Sequence, residues 1–224
     1  MAKHVFSWVA GLGWTLMPFA PFQFRRVPGR PRSVVVQHFL DDGFLEATIT
    51  ISDDGRSYAH ELGPDTPQLA DVVEVIEGAA YPEWPHAAKH PHWRVETSVH
   101  SIAWPEAFAV VSAEAPPVFD LVGPDESQIW VQGPVPAEKV PPLDQMMGEG
   151  QTTDRLTTCA GGAMVELVYE HEAEPWRMFH VLVDRYVGGV AIVSAQTPET
   201  HAGLVRAAVE EIAASLRPAG APAT

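Results

Sequence analysis

The sequence predicts an α+β protein in which antiparallel sheets are flanked by helices. Two patterns favour this class: β-rich runs separated by turn sequences such as Asp-Asp-Gly, and two segments opened by Thr-Pro in which apolar residues recur at helical spacing. A hairpin followed by a Thr-Pro segment occurs once in each half of the chain. This repetition raises the hypothesis that the protein consists of two related halves.

The uncharged opening stretch, VFSWVAGLGWTLMPFAPFQF, has several alternative interpretations. As a signal peptide it lacks a small-x-small cleavage site before the arginines, and as a membrane span it is interrupted by glycines and prolines. A third interpretation is a mobile docking arm. Because its two prolines would break a helix, we favour a buried or edge strand with turns at Gly13 and Pro18.

The clearest local signal is a β-meander formed by the runs RSVVVQHFL, FLEATITI and RSYAHEL. The turn sequences DDG and SDDG separate these runs and supply the positive φ that a tight hairpin needs. In the middle run, apolar and polar residues alternate, which indicates a sheet with one face in water.

Each Thr-Pro segment predicts a helix, because threonine is a favourable N-cap and proline is tolerated in the first turn. After Thr66-Pro67 the apolar residues continue to Gly78, and they are Leu69, Val72, Val73 and Ile76. After Thr197-Pro198 they form one stripe of Val205, Ala208, Val209, Ile212 and Leu216. The sequence therefore predicts one amphipathic helix in each half.

Residues 80–92, AYPEWPHAAKHPH, carry three prolines and no periodicity, so we place the junction between two domains there. The predicted first domain, residues 1–82, is the meander plus a helix. The predicted second domain, residues 92–218, holds four strand-like runs, a short helix at Leu143 to Met147 and the hairpin WRMFHVLVDRYVGGVAIVSAQ. Residues 219–224 are expected to form a flexible tail.

The second half resembles the Mog1/PsbP-like group of small α/β proteins. The resemblance is carried by the segments HWRVE, FDLVGPDESQIWVQGP, PLDQMM, GGVAIVSAQTP and AAVEEIAASLRP, between about His92 and Pro218. It implies an antiparallel sheet flanked by helices that serves as a binding or adaptor module. It implies no shared catalytic residue.

Charge composition limits the classes of partner. The chain has 14 Lys and Arg against 29 Asp and Glu, which gives a net charge of −15. Duplex nucleic acid and anionic membranes need a basic surface, so we expect neither as a partner. Residues 1–40 are nevertheless basic, because no acidic residue precedes Asp41. A single cysteine, Cys159, rules out an intrachain disulfide and favours a cytoplasmic location.

Two clusters are candidates for chemistry. HAAKHPHW supplies His86, His90 and His92, and imidazole is the commonest zinc ligand, although Pro91 disfavours a helix that would align them. YEHEAEPW brings together Glu170, His171 and Glu172, and paired carboxylates can serve acid/base catalysis. A solvated junction loop and the exposed end of a hairpin, respectively, are the simpler interpretations.

Tryptophan and methionine side chains suggest a surface for a protein partner. Seven tryptophans are many for 224 residues, and an exposed Trp84, Trp104 or Met146-Met147 pair would mark a recognition surface. We therefore expect a non-enzymatic binding or adaptor protein without a cofactor, whose partner is a basic or apolar protein. The alternative is a metal-assisted or acid/base enzyme of hydrolase type that uses one of the two clusters.

Overall fold

A computed structural model describes residues 5–9, 13–17, 22–52, 57–77, 93–97, 99–112 and 119–219. It contains seventeen strands within those ranges: β1 Val5–Val9, β2 Gly13–Met17, β3 Phe22–Val27, β4 Arg30–Leu40, β5 Gly43–Ile51, β6 Tyr58–Leu62, β7 Glu74–Glu77, β8 Trp93–Glu96, β9 His100–Ala103, β10 Ala109–Ser112, β11 Phe119–Val122, β12 Gln128–Pro136, β13 Thr152–Cys159, β14 Gly162–His171, β15 Glu174–Tyr186, β16 Gly189–Pro198 and β17 Arg217–Pro218. The α-helix α1 spans Ala202–Ser215, and short 3₁₀ turns occupy Leu69–Asp71, Ala137–Lys139, Leu143–Gln145 and Glu199–His201.

The strands form a large sheet and a small sheet. The large sheet has eleven strands in the order β13-β14-β15-β16-β12-β11-β10-β3-β4-β5-β6, and neighbouring strands are antiparallel. The small sheet has the order β17-β9-β8-β2-β1-β7, with parallel pairs β2–β8 and β1–β7. The parallel pairs join strands that are distant in sequence, as parallel pairing requires.

Both sheets combine strands from the two sides of residues 80–92. In the large sheet β3 pairs with β10, with Phe24 opposite Val110, and in the small sheet β2 pairs with β8. Neither sheet belongs to one of the two predicted segments alone. The boundaries 1–82 and 92–218 stay a prediction. Of the predicted tail, Ala219 is described, and its backbone N–H donates to the Val99 carbonyl at 2.9 Å; residues 220–224 lie outside the described ranges.

The predicted α+β class is wrong, because antiparallel sheet dominates the structure and α1 is the one α-helix within the described ranges. The helix predicted after Thr66-Pro67 is a 3₁₀ turn followed by β7. The run Val-Val-Glu-Val-Ile is mostly β-branched, which favours a strand over a helix. The Thr66 hydroxyl donates to the Glu46 carbonyl at 2.9 Å and so holds β5 instead of capping a helix. Without this helix the predicted repeat of two halves has no counterpart in the described residues.

The C-terminal helix is confirmed, but its start is not. Its predicted apolar stripe is buried along α1 and the residue after it. Thr197 and Pro198 belong to β16, and Thr197 Oγ1 lies 2.8 Å from Ser127 Oγ in a buried hydrogen bond. The helix begins only at Ala202, because Thr197 and Pro198 remain in β16 and the Thr197 hydroxyl is used by Ser127.

The opening stretch forms strands, as we favoured, with β1 and β2 as an antiparallel hairpin and β3 in the large sheet. The turn predicted at Gly13 is wrong, because Gly13 is the first residue of β2 and pairs with Val9, and the turn predicted at Pro18 lies outside the described residues. One hydrophobic core joins the two sheets and α1, and it includes Phe24, Trp93, Trp104, Phe179 and Ile212. The meander is confirmed as β4, β5 and β6, while its second turn lies outside the described residues. No described helix is long and apolar enough to cross a membrane.

Candidate functional site

The turn between β4 and β5 carries exposed large apolar side chains. Phe39, Leu40 and Phe44 expose 38, 44 and 48% of their surface around the turn at Asp41-Asp42. On the neighbouring strand β6, Leu62 is 38% exposed. We call residues Phe39 to Phe44 the hairpin tip. Contiguous exposed apolar side chains of this kind commonly mark an interaction site.

Strand alternation divides the hairpin tip between two faces. Phe39 is directly opposite Phe44, and their ring centroids lie 6.4 Å apart with the rings edge to face. The pair lies on the sheet face opposite the core, because it alternates with the core residues Val36 and Ala47. Leu40 lies on the other face, so the tip presents apolar groups on both sides.

Hydrogen bonds fix the base of the hairpin on its outer face. Gln37 is 9% exposed, and its amide donates to Glu46 Oε2 at 2.6 Å across the strand pair. The backbone N–H of Glu46 donates to the Thr66 hydroxyl at 2.8 Å. The first bond joins β4 to β5, and the second joins β5 to the loop after β6. Both lie two residues before the Phe39–Phe44 pair.

The core side of the hairpin base is fixed by His38. Its ring stacks on Phe22 with 4.5 Å between centroids, and its Nδ1 lies 3.1 Å from the Asp71 carbonyl oxygen. The hairpin tip therefore projects from a rigid base. A rigid projecting pair of rings loses little conformational entropy when a partner covers it.

The charges at the hairpin tip are negative. Asp41 and Asp42 are both exposed at the turn. This arrangement can bind a surface that offers an apolar groove bordered by Lys or Arg. It would repel an anionic surface.

The proposed partner-binding residues that the structure describes differ in exposure. Trp104 is 1% exposed, and its indole N–H donates to the Phe108 carbonyl at 2.6 Å, so it belongs to the core and cannot contact a partner. Met147 is 44% exposed and Met146 is half-buried, both after the 3₁₀ turn Leu143–Gln145. Met147 accepts a hydrogen bond from the Thr153 hydroxyl at 3.3 Å. Trp84 lies outside the described residues.

The candidate metal ligands His86, His90 and His92 also lie outside the described residues, so the metal site stays a prediction. Among the residues that the structure does describe, no group of three or more His, Cys, Asp or Glu side chains is arranged to hold a metal.

The acid/base cluster lies at the β14–β15 turn. Glu172 is in the turn with φ of 51°, and Glu170 is exposed at the end of β14. His171 and Tyr169 share one strand face, as expected, because both pack on Trp176, with centroids 5.2 and 6.2 Å away. His171 and Glu172 line an open cleft of about 380 Å³, which Asp125, Glu126 and Glu199 line as well. The turn makes this group the exposed end of a hairpin, the simpler of our interpretations.

A serine and a histidine meet in the middle of the large sheet. His180 Nδ1 lies 2.8 Å from Ser194 Oγ, and burial lowers the pKa of His180, which favours its neutral form. Ser194 is 2% exposed, and its strand is hydrogen-bonded to strands on both sides. Its neighbouring backbone N–H groups are therefore committed to the sheet and not free to bind an oxyanion. The pair is structural.

The exposure of the hairpin tip was not predicted from the sequence. A signal was present: Phe39 and Leu40 precede the DDG turn and Phe44 and Leu45 follow it, which interrupts the alternation seen in the rest of β5. Consecutive apolar residues at a turn cannot all face one core.

Comparison with known proteins adds little. No family model matches the chain, and no curated protein matches it, so the resemblance to the Mog1/PsbP-like group stays a prediction. Among solved structures the chain is similar to LpqN of Mycobacterium tuberculosis, whose description says that it is involved in cell envelope biogenesis. The identity is 14% and the TM-score 0.36, over 53% of this chain and 82% of that one. Similarity at this level supports no argument about fold or function.

Proposed function

We propose that the protein is a non-enzymatic binding module that docks on another protein through the hairpin tip. One observation carries the proposal: Phe39 and Phe44 form an edge-to-face pair while 38 and 48% of their surfaces are exposed. Aromatic side chains, phenylalanine among them, are enriched at the buried centres of protein interfaces. Covering the exposed part of each ring would contribute about 1 kcal/mol of hydrophobic free energy.

The partner is a protein with an apolar groove and a basic border. The groove would receive Phe39 and Phe44, and the border would face Asp41 and Asp42. The net charge of −15 adds long-range attraction for a basic surface and accelerates encounter. This partner chemistry agrees with the expectation drawn from composition.

Site-specific photocrosslinking tests the proposal. The full-length chain is produced in its native host with photoreactive benzoylphenylalanine in place of Phe44, and adducts are identified by mass spectrometry. Val187, a fully exposed apolar residue at the β15–β16 turn, is the matched control position. We expect one protein to be crosslinked from position 44 and not from position 187.

Charge reversal at the tip gives a second, independent result. In the chain with the photoreactive group at position 44, Asp41→Lys and Asp42→Lys together should abolish the adduct with a basic partner. Identical adducts from positions 44 and 187, or an adduct that survives the charge reversal unchanged, would overturn the proposed docking mode.

A further inference from the structure

One edge of the large sheet is open to solvent. The strand at this edge is β13, Thr152–Cys159, which pairs with β14 on one side. Within the described ranges no strand pairs with β13 on its other side. Residues 152–156 of β13 are all exposed. Such an edge presents unpaired backbone N–H and C=O groups, which can pair with a strand of another chain.

The open edge is remote from the hairpin tip. Seven strands of the large sheet lie between β13 and β4, the first strand of the tip. The strand at the opposite edge, β6, has five residues, whereas β13 has eight. A longer edge strand offers more backbone groups for pairing, so β13 is the better template of the two.

Leu156 is an apolar side chain in the middle of this edge. It is 55% exposed, and it pairs with Val165 of β14. Val165 alternates with Glu166, which contacts Arg206 of α1, so Leu156 lies on the sheet face away from α1. A strand laid along β13 would cover Leu156 with a side chain from the same sheet face.

The strand itself carries no net charge, although the whole chain has a net charge of −15. Asp154 is the acidic residue of β13 and Arg155 is the basic one. The pairing with β14 shifts register between Thr153 and Arg155, and the Asp154 carboxylate there accepts a hydrogen bond of 2.6 Å from Arg177. Its charge is therefore balanced within the chain, and the edge does not repel a second copy locally.

The order of residues in β13 favours one symmetric register. Two identical antiparallel strands related by a two-fold axis set one residue opposite its own copy. An axis at Asp154 or at Arg155 would bring like charges opposite each other, which destabilises a strand pair. An axis at Thr157 would leave each Leu156 opposite a Thr158. An axis at Leu156 brings the two leucines together and sets each Arg155 opposite an uncharged Thr157.

We propose that two copies of this chain pair antiparallel through β13, with Leu156 on the two-fold axis, so that the two large sheets form one continuous sheet. One strand from each copy makes an interface smaller than that of a stable dimer. We therefore expect a dissociation constant of about 100 µM. The proposal does not depend on the hairpin tip or on its partner.

Sedimentation equilibrium of the full-length protein tests the dimer. We expect the mass to rise from monomer to dimer between about 5 µM and 1 mM protein. Leu156→Lys and the matched control Val187→Lys change the net charge equally, and Val187 is an exposed turn residue. The first should weaken the dimer by about 10-fold or more and the second by less than about 2-fold. A monomeric wild type, or equal weakening by the two variants, would overturn the proposal.

Salt separates this self-association from docking at the hairpin tip. Two copies with a net charge of −15 repel each other at long range, so the dimer should become tighter as NaCl rises from about 0.05 to 0.5 M. Binding of a basic partner should become weaker over the same range. A dimer that dissociates as salt is added would be held by opposite charges and would overturn pairing through the neutral strand β13.

Disulfide crosslinking tests the register. In a Cys159→Ser background, Leu156→Cys would place two thiols on the axis with Cα atoms about 5 Å apart, within reach of a disulfide. Thr153→Cys, at an exposed position of the same strand, is the control, because its two copies would lie about 20 Å apart. In a glutathione redox buffer we expect a covalent dimer from position 156 and none from position 153. Equal crosslinking at both positions, or none at position 156, would overturn the register.

Discussion

Arg206 of α1 contacts Glu166 of β14, with Nη1 2.6 Å from Oε1. Glu166 is 3% exposed, so its carboxylate is almost fully removed from water. Arg177 of β15 lies on the other side, 3.7 Å from Glu166 Oε2, and it also donates at 2.6 Å to Glu199 and to Asp154. The hydrogen bonds to Glu199 and Asp154 raise the pKa of Arg177. One buried carboxylate thus connects the helix to the sheet.

Arg206→Met should destabilise the protein by about 2 kcal/mol, because it leaves Glu166 buried with only the more distant Arg177. The value is below that of a fully buried pair, because the Arg206 side chain is 30% exposed. Glu210→Gln, which removes only the i,i+4 partner of Arg206, should cost under about 0.5 kcal/mol. Urea unfolding of both variants checks this difference. Equal losses would show that Glu166 does not depend on Arg206.

The turn between β13 and β14 allows α1 to approach the sheet closely. A Cβ at Gly161 would overlap the backbone and side chain of Ala213 in α1, whereas a Cβ at Gly203 would meet nothing within 4 Å. Gly161→Ala should therefore destabilise the fold by about 2 kcal/mol or more. Gly203→Ala, in the first turn of α1, should stabilise it by about 0.5 kcal/mol. Thermal unfolding measures both, and a neutral Gly161→Ala would show that the helix can shift without loss.

Local patterns in the sequence predicted most strands, because alternation and turn sequences act over a few residues. The meander and the hairpin β15–β16 are examples, and the C-terminal stripe predicted α1 in the same way. Strand order could not be predicted, since nothing near Phe24 in sequence indicates that its strand pairs with β10. The first Thr-Pro helix failed because Thr66 uses its hydroxyl in a long-range contact with Glu46. Tertiary hydrogen bonds of this kind are invisible in a local pattern.

The candidate site was less predictable than the strands. Composition led us to expect a basic or apolar partner, but it could not separate exposed aromatic residues from buried ones. Trp104 and Phe44 are both large and apolar, and only the tertiary structure places the first at 1% and the second at 48% exposure. To predict which of the two is exposed, one must know where each strand ends relative to the core.

His100 makes the stability of the fold sensitive to acid. It is 6% exposed, lies 6.2 Å from the Phe119 ring, and neither of its ring nitrogens has a hydrogen-bond partner in the described structure. Burial lowers the pKa of His100 from 6.5 to about 4. The folded state therefore holds the neutral ring, while the unfolded state takes up a proton below pH 6.5.

The stabilising contribution of neutral His100 is complete above pH 6.5 and is lost as the pH falls through about 4. The loss should reach roughly 3 kcal/mol. Urea unfolding at several pH values between 7 and 4 measures it, and His100→Phe should remove that part of the slope. If the unfolding free energy of His100→Phe and of the wild type changed equally with pH, His100 would not be the source of the acid sensitivity.

Trp104→Phe tests the assignment of Trp104 to the core. The substitution removes the indole donor, leaves the Phe108 carbonyl without its 2.6 Å hydrogen bond, and opens space beside Trp93, whose ring centroid is 5.7 Å away. Both effects should together cost about 2–4 kcal/mol. Trp130→Phe, at a half-buried residue of β12, is the matched control and should cost under about 1.5 kcal/mol. If urea unfolding gave the reverse order, Trp104 would be free to serve as the partner-binding residue that the sequence suggested.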